Sequence, residues 1–144
     1  MSDKILNMLG LMRRANAIQI GETNTGAAVR GGKAKLLLLA ADASDNAKSR
    51  AEGFARGRSV LTVPLPYTKE EISASVGVNG CSMAAVTDMG FANALMKALS
   101  EKAPEQYAAL AEEMAGRFEK AQRRKKEAAA HERNKRIGKR RTNV

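Results

Sequence analysis

The stretch that decides the fold is Leu36-Leu37-Leu38-Leu39-Ala40-Ala41-Asp42, in which six apolar residues precede an aspartate. A continuous apolar run of this length is typical of a central strand that is buried on both faces. The run is far too short to cross a bilayer as a helix. It therefore predicts a buried strand with further layers of structure on either side.

Strand and helix patterns alternate on both sides of this run. Further strand candidates are residues 17–20, 60–63 and 82–87. Segments with helical spacing or cap residues lie between the strands, and glycines or prolines end most of them. Such alternation is typical of α/β domains. We predict an α/β fold, a three-layer α/β/α sandwich with a central four-stranded mixed sheet, followed by a basic helical C-terminal extension.

The positive charge of the chain is concentrated at its C-terminal end. The 144 residues carry a formal net charge of +10, and residues 120–144 alone hold eleven Lys/Arg against two Glu. Such a block is typical of an arm that binds a polyanion, and RNA, DNA and an acidic membrane surface all fit on charge alone. Pro104 marks a boundary, so we predict a domain at residues 1–103 and a basic, helical or partly disordered tail at residues 104–144.

The first part of this tail has an apolar stripe. Residues 105–121 show helical spacing, with Tyr107, Leu110, Met114 and Phe118 on one face. We expect this stripe to dock on the domain or on a second copy of the chain. Beyond it the charges repel one another and no apolar residue anchors the chain, so we expect at most partial helicity there.

The sequence offers little material for catalysis. His131 is the only histidine and lies in the charged tail, and Cys81 is the only cysteine. Neither a catalytic triad nor a histidine metal site can be assembled from these residues. We expect no enzyme activity, no metal and no cofactor. The single cysteine and the lack of a recognisable signal peptide indicate the cytoplasm, without a membrane partner.

The most informative junction is Gln19-Ile20-Gly21-Glu22-Thr23-Asn24-Thr25-Gly26, which predicts a strand, a glycine and a helix N-terminus capped by Thr23 or Asn24. Helix N-termini attract phosphates, because their N–H groups are unpaired and carry a partial positive charge. Small polar side chains can hydrogen-bond to base edges, and glycine permits close approach. An ordinary capped turn remains the alternative.

Several segments resemble one known family in order and spacing. They are the Gly21 junction, the run from Gly32-Lys33-Ala34-Lys35-Leu36 to Asp42, the loop Val63-Pro64-Leu65-Pro66-Tyr67 and the stretch Ala84-Ala85-Val86-Thr87-Asp88. Together they resemble the kink-turn RNA-binding ribosomal proteins, which include the "seven-Ae" and "thirty-e" types. Leu9-Gly10-Leu11 followed by Arg13-Arg14 is similar to the bacterial YlxQ-like branch. The resemblance covers roughly residues 3–100.

The resemblance implies an RNA-binding surface and also marks where this chain departs from the family. The family has Asn or Lys, then Glu or Gln, and then Lys at the positions of Thr23, Asn24 and Ala27. These positions grip tandem G·A pairs, so the shorter side chains put kink-turn selectivity in doubt. The RNA-binding residues expected in the domain are Arg13, Arg14, Gly21, Glu22, Thr23, Asn24, Lys33, Pro64, Leu65, Pro66 and Tyr67.

Tyr67 is expected either to stack on a base or to lie half-buried at the foot of its loop. In the tail, phosphate contacts are expected from Arg123, Arg124, Lys125, Lys126, Lys139, Arg140 and Arg141. The basic block at residues 120–144 has no interleaved aromatic residues, which predicts phosphate contact rather than base recognition.

The function expected from these features is non-catalytic binding of structured, kink-turn-like RNA by a ribosome-associated or ribosomal-protein-like accessory factor. RNA is the expected partner, with the ribosome as one candidate, and the oligomeric state is left open. The alternative is a protein-interaction module, with the stripe as its working surface and the tail as a nonspecific polyanion-binding arm.

Overall fold

The computed structural model describes the backbone of residues 3–142 and the side chains of residues 3–135. The strands are β1 (Ile18–Ile20), β2 (Leu36–Leu39), β3 (Leu61–Pro64) and β4 (Met83–Val86). The helices are α1 (Lys4–Arg14), α2 (Glu22–Arg30), α3 (Asp45–Ala55), α4 (Lys69–Val76), α5 (Met89–Lys102) and α6 (Pro104–Thr142).

The four strands form one mixed sheet in the order β1-β4-β2-β3. Strand β4 runs antiparallel to both of its neighbours, whereas β2 and β3 are parallel. All four residues of β2 are buried, as the apolar run predicts. The α/β fold with a four-stranded mixed sheet and a C-terminal helical extension is confirmed.

Helices cover both faces of the sheet. Leu38 and Ala84 are paired in register and lie against Leu9 of α1 and Ile72 of α4. These two helices cover one face of the sheet. Successive side chains of a strand alternate between faces, and α2 and α3 pack on the face opposite to α1 and α4. Helix α5 lies beside α1, and α6 packs against α5.

Short polar side chains start most of these helices, as expected. Asp3, Ser44, Thr68 and Asp88 each accept a hydrogen bond from a backbone N–H in the first turn of the helix that follows. Such caps typically stabilise a helix by about 1 kcal/mol. Helix α2 is the exception, because it begins at Glu22 with Gly21 as its N-cap. The expectation that Thr23 or Asn24 caps this helix is wrong.

Helix α6 begins at Pro104 and is continuous to Thr142. Tyr107 and Met114 are completely buried, and the Tyr107 hydroxyl donates a hydrogen bond to the carbonyl of Pro64. The apolar stripe therefore docks on its own domain, which covers the surface that a protein-interaction module would use.

The remainder of α6 is helical for longer than the charge pattern predicts. A helix of 39 residues is about 58 Å long at 1.5 Å per residue. Ala, Lys, Arg, Glu and Gln dominate this segment, and all are strong helix formers. Within residues 3–142, no helix has both the length and the apolar character needed to cross a membrane.

One polar cluster joins three distant segments of the chain. The Tyr67 hydroxyl lies 2.8 Å from both carboxylate oxygens of Asp3, and Lys102 Nζ lies 3.3 Å from Asp3 Oδ2. Burial alone would raise the pKa of the Asp3 carboxyl. The hydrogen bonds from Tyr67, the Leu6 and Ile5 N–H groups and Lys102 outweigh it and hold this pKa below its usual range.

We expect Tyr67→Phe to lower the free energy of unfolding at neutral pH by about 2 kcal/mol, because a partly buried hydrogen bond to a charged group is lost. A depressed carboxyl pKa contributes stability above its unfolded value of about 3.9, and this contribution disappears as the pH falls through the folded pKa. The cost of Tyr67→Phe, measured by urea unfolding, should therefore shrink in acid.

Tyr107→Phe is the matched control, because its hydroxyl donates to a peptide carbonyl that does not titrate. Its cost should be the same at neutral and acid pH. An equally pH-independent cost for Tyr67→Phe would contradict the role assigned to Asp3.

Candidate nucleic-acid interface

Three helix N-termini meet at one edge of the sheet. Strands β1, β2 and β3 end at this edge and β4 begins there, as the pairing of Ile20 with Ala84 and of Leu39 with Met83 requires. The chain then enters α2, α3 and α4 directly or after a short loop. Helix N-termini carry a partial positive charge, so the edge favours anionic or hydrogen-bond-accepting ligands.

Gly21 turns the chain from β1 into α2. Its N–H donates a 3.0 Å hydrogen bond to the Met83 carbonyl, and its backbone lies at φ 91° and ψ 163°. This region is essentially restricted to glycine. An added Cβ would meet no atom within 4 Å, so the requirement for glycine is one of backbone conformation rather than of space.

A depression of about 570 Å³ lies beside this turn. Its lining includes Glu22 from α2, Asn46 and Arg50 from α3, Lys69 from α4 and Asn79 from the loop before β4. We call this depression, together with Gly21, Thr23 and Asn24, the Gly21 face. Two acidic and two basic side chains line the depression, so they cancel in charge.

The polar groups of the Gly21 face are held in place by local contacts. Arg50 Nη1 donates to Glu22 Oε1 in an ion pair between α3 and α2. Asn24 Nδ2 donates a 2.9 Å hydrogen bond to the Ile20 carbonyl, which orients the amide group at the surface. Thr23 and Asn24 are both exposed. The face therefore presents oriented donors and acceptors rather than a concentration of charge.

Close packing of α2 on α3 supports this arrangement. A Cβ on Gly26 would lie 2.9 Å from the Phe54 ring, so only glycine allows the ring to approach α2 at this point. The contact holds α3 against α2, and Arg50 lies one turn before Phe54 on that helix.

The loop from Pro64 to Tyr67 begins at the same edge, but only half of it is accessible. Pro64 and Pro66 are exposed, whereas Leu65 and Tyr67 are 3% and 4% exposed. The alternation follows from the two-residue period of extended backbone. Leu65 belongs to the core and the Tyr67 hydroxyl is bound to Asp3. The expectation that Leu65 and Tyr67 contact RNA is therefore corrected, since neither presents a free surface for stacking.

Three other predicted residues lie away from the Gly21 face. Helix α1 follows its N-cap Asp3, which lies beside Tyr67. The helix ends with Arg13 and Arg14, about 16 Å further on and close to where β1 begins. Lys33 follows the opposite end of α2. All three are exposed, but the structure does not bring them together with Gly21.

The predicted tail residues lie on α6. Arg123, Arg124, Lys125 and Lys126 are exposed on this helix. Lys139, Arg140 and Arg141 lie beyond the residues whose side chains the structure describes.

Sequence reasoning missed Asn46, Arg50, Lys69 and Asn79 as members of the Gly21 face. The signal for two of them was the spacing of Asn46 and Arg50, which are four residues apart and so share a helix face. Lys69 and Asn79 carried no local signal, because only the sheet pairing brings their loops to this edge.

Cys81 is buried next to the Gly21 turn, where it packs as part of the core. Burial raises the pKa of its thiol to about 11, an effect partly opposed by a hydrogen bond with the Gly21 backbone. The thiol is therefore neutral at physiological pH and is not a nucleophile in this state.

Comparison with known proteins places the chain in a family. RNA-binding protein YlxQ of Bacillus subtilis (strain 168) is 36% identical over 96 residues, which cover 64% of this chain and 91% of that protein. The chain belongs to the YlxQ family. RNA-binding protein YlxQ of Enterococcus faecium is 33% identical over 89 residues, covering 62% of this chain and 84% of that relative. No protein-family model matches the chain.

Solved structures share the fold. A protein of unknown function from Bacillus halodurans C superposes with a TM-score of 0.63 at 23% identity, over 69% of this chain and 99% of that one. The Giardia lamblia 15.5kD RNA binding protein gives a TM-score of 0.53 at 18% identity, over 70% and 89% of the two chains. The YlxQ relatives and these structures each leave about a third of this chain unmatched.

We expect Gly21→Ala to lower the free energy of unfolding by about 1–3 kcal/mol, because alanine is strained at this φ and ψ. Gly53→Ala is the matched control, since Gly53 is an exposed residue inside α3 with open space around it. That substitution should raise stability by about 0.5–1 kcal/mol through helix propensity. Equal effects of the two substitutions in urea unfolding would refute the constraint at Gly21.

Proposed function

We propose that this YlxQ-family protein binds structured RNA through the Gly21 face and does so without catalysis. The observation that carries the proposal is the convergence of three helix N-termini on one depression, which Glu22 of α2, Asn46 of α3 and Lys69 of α4 all line. The two YlxQ relatives are named as RNA-binding proteins, which supports the same ligand class. The structural likeness to an RNA-binding protein of the 15.5kD type is consistent with it.

Recognition at this face rests on hydrogen bonds and shape. The charges of the depression cancel, so long-range attraction to phosphates is weak there. Asn24 and Thr23 supply donors and acceptors for base edges, and asparagine pairs well with adenine edges. Gly21 lets a base or backbone come close to the start of α2. We propose that Asn46, Arg50, Lys69 and Asn79 complete the contact surface.

The RNA that fits this chemistry is folded rather than a plain duplex. An A-form duplex hides its major-groove base edges in a deep, narrow groove, whereas kinks, bulges and loops unstack bases and expose their edges. We propose a kink-turn-like motif as the ligand, within a ribosome-associated or ribosomal-protein-like role. Glu22, Pro64 and Pro66 are proposed to border the bound RNA, because they are exposed or half-buried at the same edge.

The two parts of the chain on either side of Pro104 are proposed to differ in function, although they pack together in one fold. We propose that residues 1–103 carry recognition and that the exposed basic residues of the tail add attraction to phosphates. Tyr107 and Met114 are fully buried against the domain. Cutting the chain at residue 103 would therefore expose its core, and binding is better tested with full-length variants.

We expect the full-length protein to bind a kink-turn RNA more tightly than a straight duplex of equal length. Asn24→Ala should weaken binding of the kinked RNA about five- to thirtyfold, the loss expected from one good base contact of about 1–2 kcal/mol. Asn7→Ala is the control, because Asn7 is exposed on α1 outside the Gly21 face. Equal affinity for both RNAs, unaffected by Asn24→Ala, would rule the proposal out.

A gain-of-function change tests the same site from the opposite direction. Ala27 is exposed on α2, at the position where the kink-turn binders carry Lys. Ala27→Lys should tighten binding of the kink-turn RNA and steepen the slope of log affinity against log salt by about one unit. Ala94→Lys adds the same charge at an exposed position of α5 and should have little effect. If both substitutions act alike, Ala27 is not next to the RNA.

A further inference from the structure

A second concave surface lies at the opposite end of the sheet from the Gly21 face. It is a groove of about 930 Å³ between α6 and the loops that follow α2 and α3. We call it the α6 groove. Its floor is apolar and includes Val29, Val60, Met89 and Met114. Helix α2 runs from one surface to the other, a distance of about 13 Å over nine residues.

The α6 groove is strongly basic. Its charged lining residues are Lys35, Arg58, Glu113, Arg117, Lys120, Arg124 and Lys125. Six are cationic, and the one carboxylate among them is paired with Arg117, with 3.0 Å between Nε and Oε1. The charges that line the Gly21 face cancel, so the two surfaces differ most in their electrostatic attraction for polyanions.

Two arginines of the groove are fixed by the backbone. Arg58 Nη1 donates a 3.0 Å hydrogen bond to the Val29 carbonyl, and Arg117 Nη1 donates to the Ser59 carbonyl. A guanidinium has five N–H donors, so these bonds position each group without exhausting it. Fixing it in advance reduces the entropy lost on binding an anion.

The face of α6 that is turned toward the domain changes from apolar to basic in the direction of the C-terminus. Met114 is buried, and Arg117, Lys120, Arg124 and Lys125 follow at helical spacing on the side that lines the groove. At 1.5 Å per residue these four cations extend over about 12 Å. Arg123 and Lys126 flank Arg124 and Lys125 in the chain but do not line the groove. The result is a strip of positive charge facing the domain.

The extended strip suits a run of phosphates better than a single small anion. None of the described residues that line the groove is aromatic, so they offer no platform for base stacking. Cationic contacts of this kind bind the sugar–phosphate backbone without reading sequence. Lys33 lies between the groove residues Gly32 and Ala34, so its exposed charge adds to the same field.

We propose that the α6 groove is a second RNA-binding surface, which holds the sugar–phosphate backbone of a segment flanking the one bound at the Gly21 face. This inference rests on the proposed RNA-binding function and goes beyond it by assigning a separate surface with a different task. The Gly21 face selects the RNA, and the α6 groove supplies most of the electrostatic affinity. Binding at both would clamp one RNA across the two ends of α2.

The chain provides a matched pair of variants. Arg124→Gln with Lys125→Gln removes one arginine and one lysine that line the groove. Arg123→Gln with Lys126→Gln removes the same charges from the same turn of α6, outside the lining. Glutamine has a helix propensity close to those of lysine and arginine, so both variants should keep the helix.

Affinity of the full-length proteins is measured against a kink-turn RNA with a long flanking duplex, over a range of salt concentrations. The groove pair should weaken binding about tenfold or more at low salt and reduce the slope of log affinity against log salt by roughly 1.5 units. The outer pair should lose less, about threefold, because Arg123 and Lys126 add general attraction to phosphates without lining the groove. Combined with Asn24→Ala, the effect of the groove pair should be additive in free energy, as for separate sites.

Equal losses from the two pairs would show a diffuse cationic arm and overturn the groove, while leaving the proposed function intact. Absence of any RNA binding by the unaltered protein would instead overturn both proposals. If the groove pair lost binding to vesicles containing phosphatidylserine but kept its RNA affinity, the groove would belong to a lipid surface and the inference would be wrong.

Discussion

Burial of Leu36–Leu39 on both faces of the sheet is the constraint on which the rest of the structure depends. A strand that is apolar on each side requires a layer of helices above and below it, and these helices need short connections at the strand ends. Because β4 runs antiparallel beside β2 and β1, its first residue lies next to their last residues. The starts of α2, α3 and α4 are thereby gathered at a single edge.

In the proposed function, this arrangement separates two kinds of RNA recognition. At the Gly21 edge, ion pairing of Glu22 with Arg50 and the balance of charge leave hydrogen-bonding geometry as the main determinant. At the other end, α6 brings a basic strip over the loops that follow α2 and α3. Phosphate contacts provide affinity and orientation, while base contacts provide specificity. Dividing the two tasks between ends of one small domain lets each vary without disturbing the other.

Local patterns predicted the elements well. The apolar run predicted β2, and the cap residues Thr68 and Asp88 indicated where α4 and α5 begin, because these signals lie within a few residues of the structure they determine. The turn at Gly21 was less well predicted. Gly21, with its positive φ, is itself the N-cap of α2. Because glycine has no polar side chain, the sequence carries no capping signal at this position.

Which residues belong to the Gly21 face depends on long-range packing, so the sequence predicted only some of them. Arg13, Arg14 and Lys33 have suitable chemistry, but the direction of α1 and the length of α2 carry them away from the Gly21 face. Leu65 and Tyr67 were expected among the RNA-binding residues, with a half-buried Tyr67 as the alternative. Tyr67 is held by its hydrogen bond to Asp3, and Leu65 packs in the core. Both contacts involve residues that are distant in sequence. The apolar stripe of α6 predicted docking on the domain or on a second copy of the chain. The basic groove could not be predicted, because Arg58 and Lys35 join α6 there only through the fold.

The most direct test of the central claim is a map of backbone amide chemical shifts in the full-length protein as a kink-turn RNA is added. We expect the largest changes at residues 21–24 and at Asn46, Arg50, Lys69 and Asn79, with Arg13 and Arg14 unaffected. Changes confined to α6, with the Gly21 face undisturbed at saturation, would contradict it.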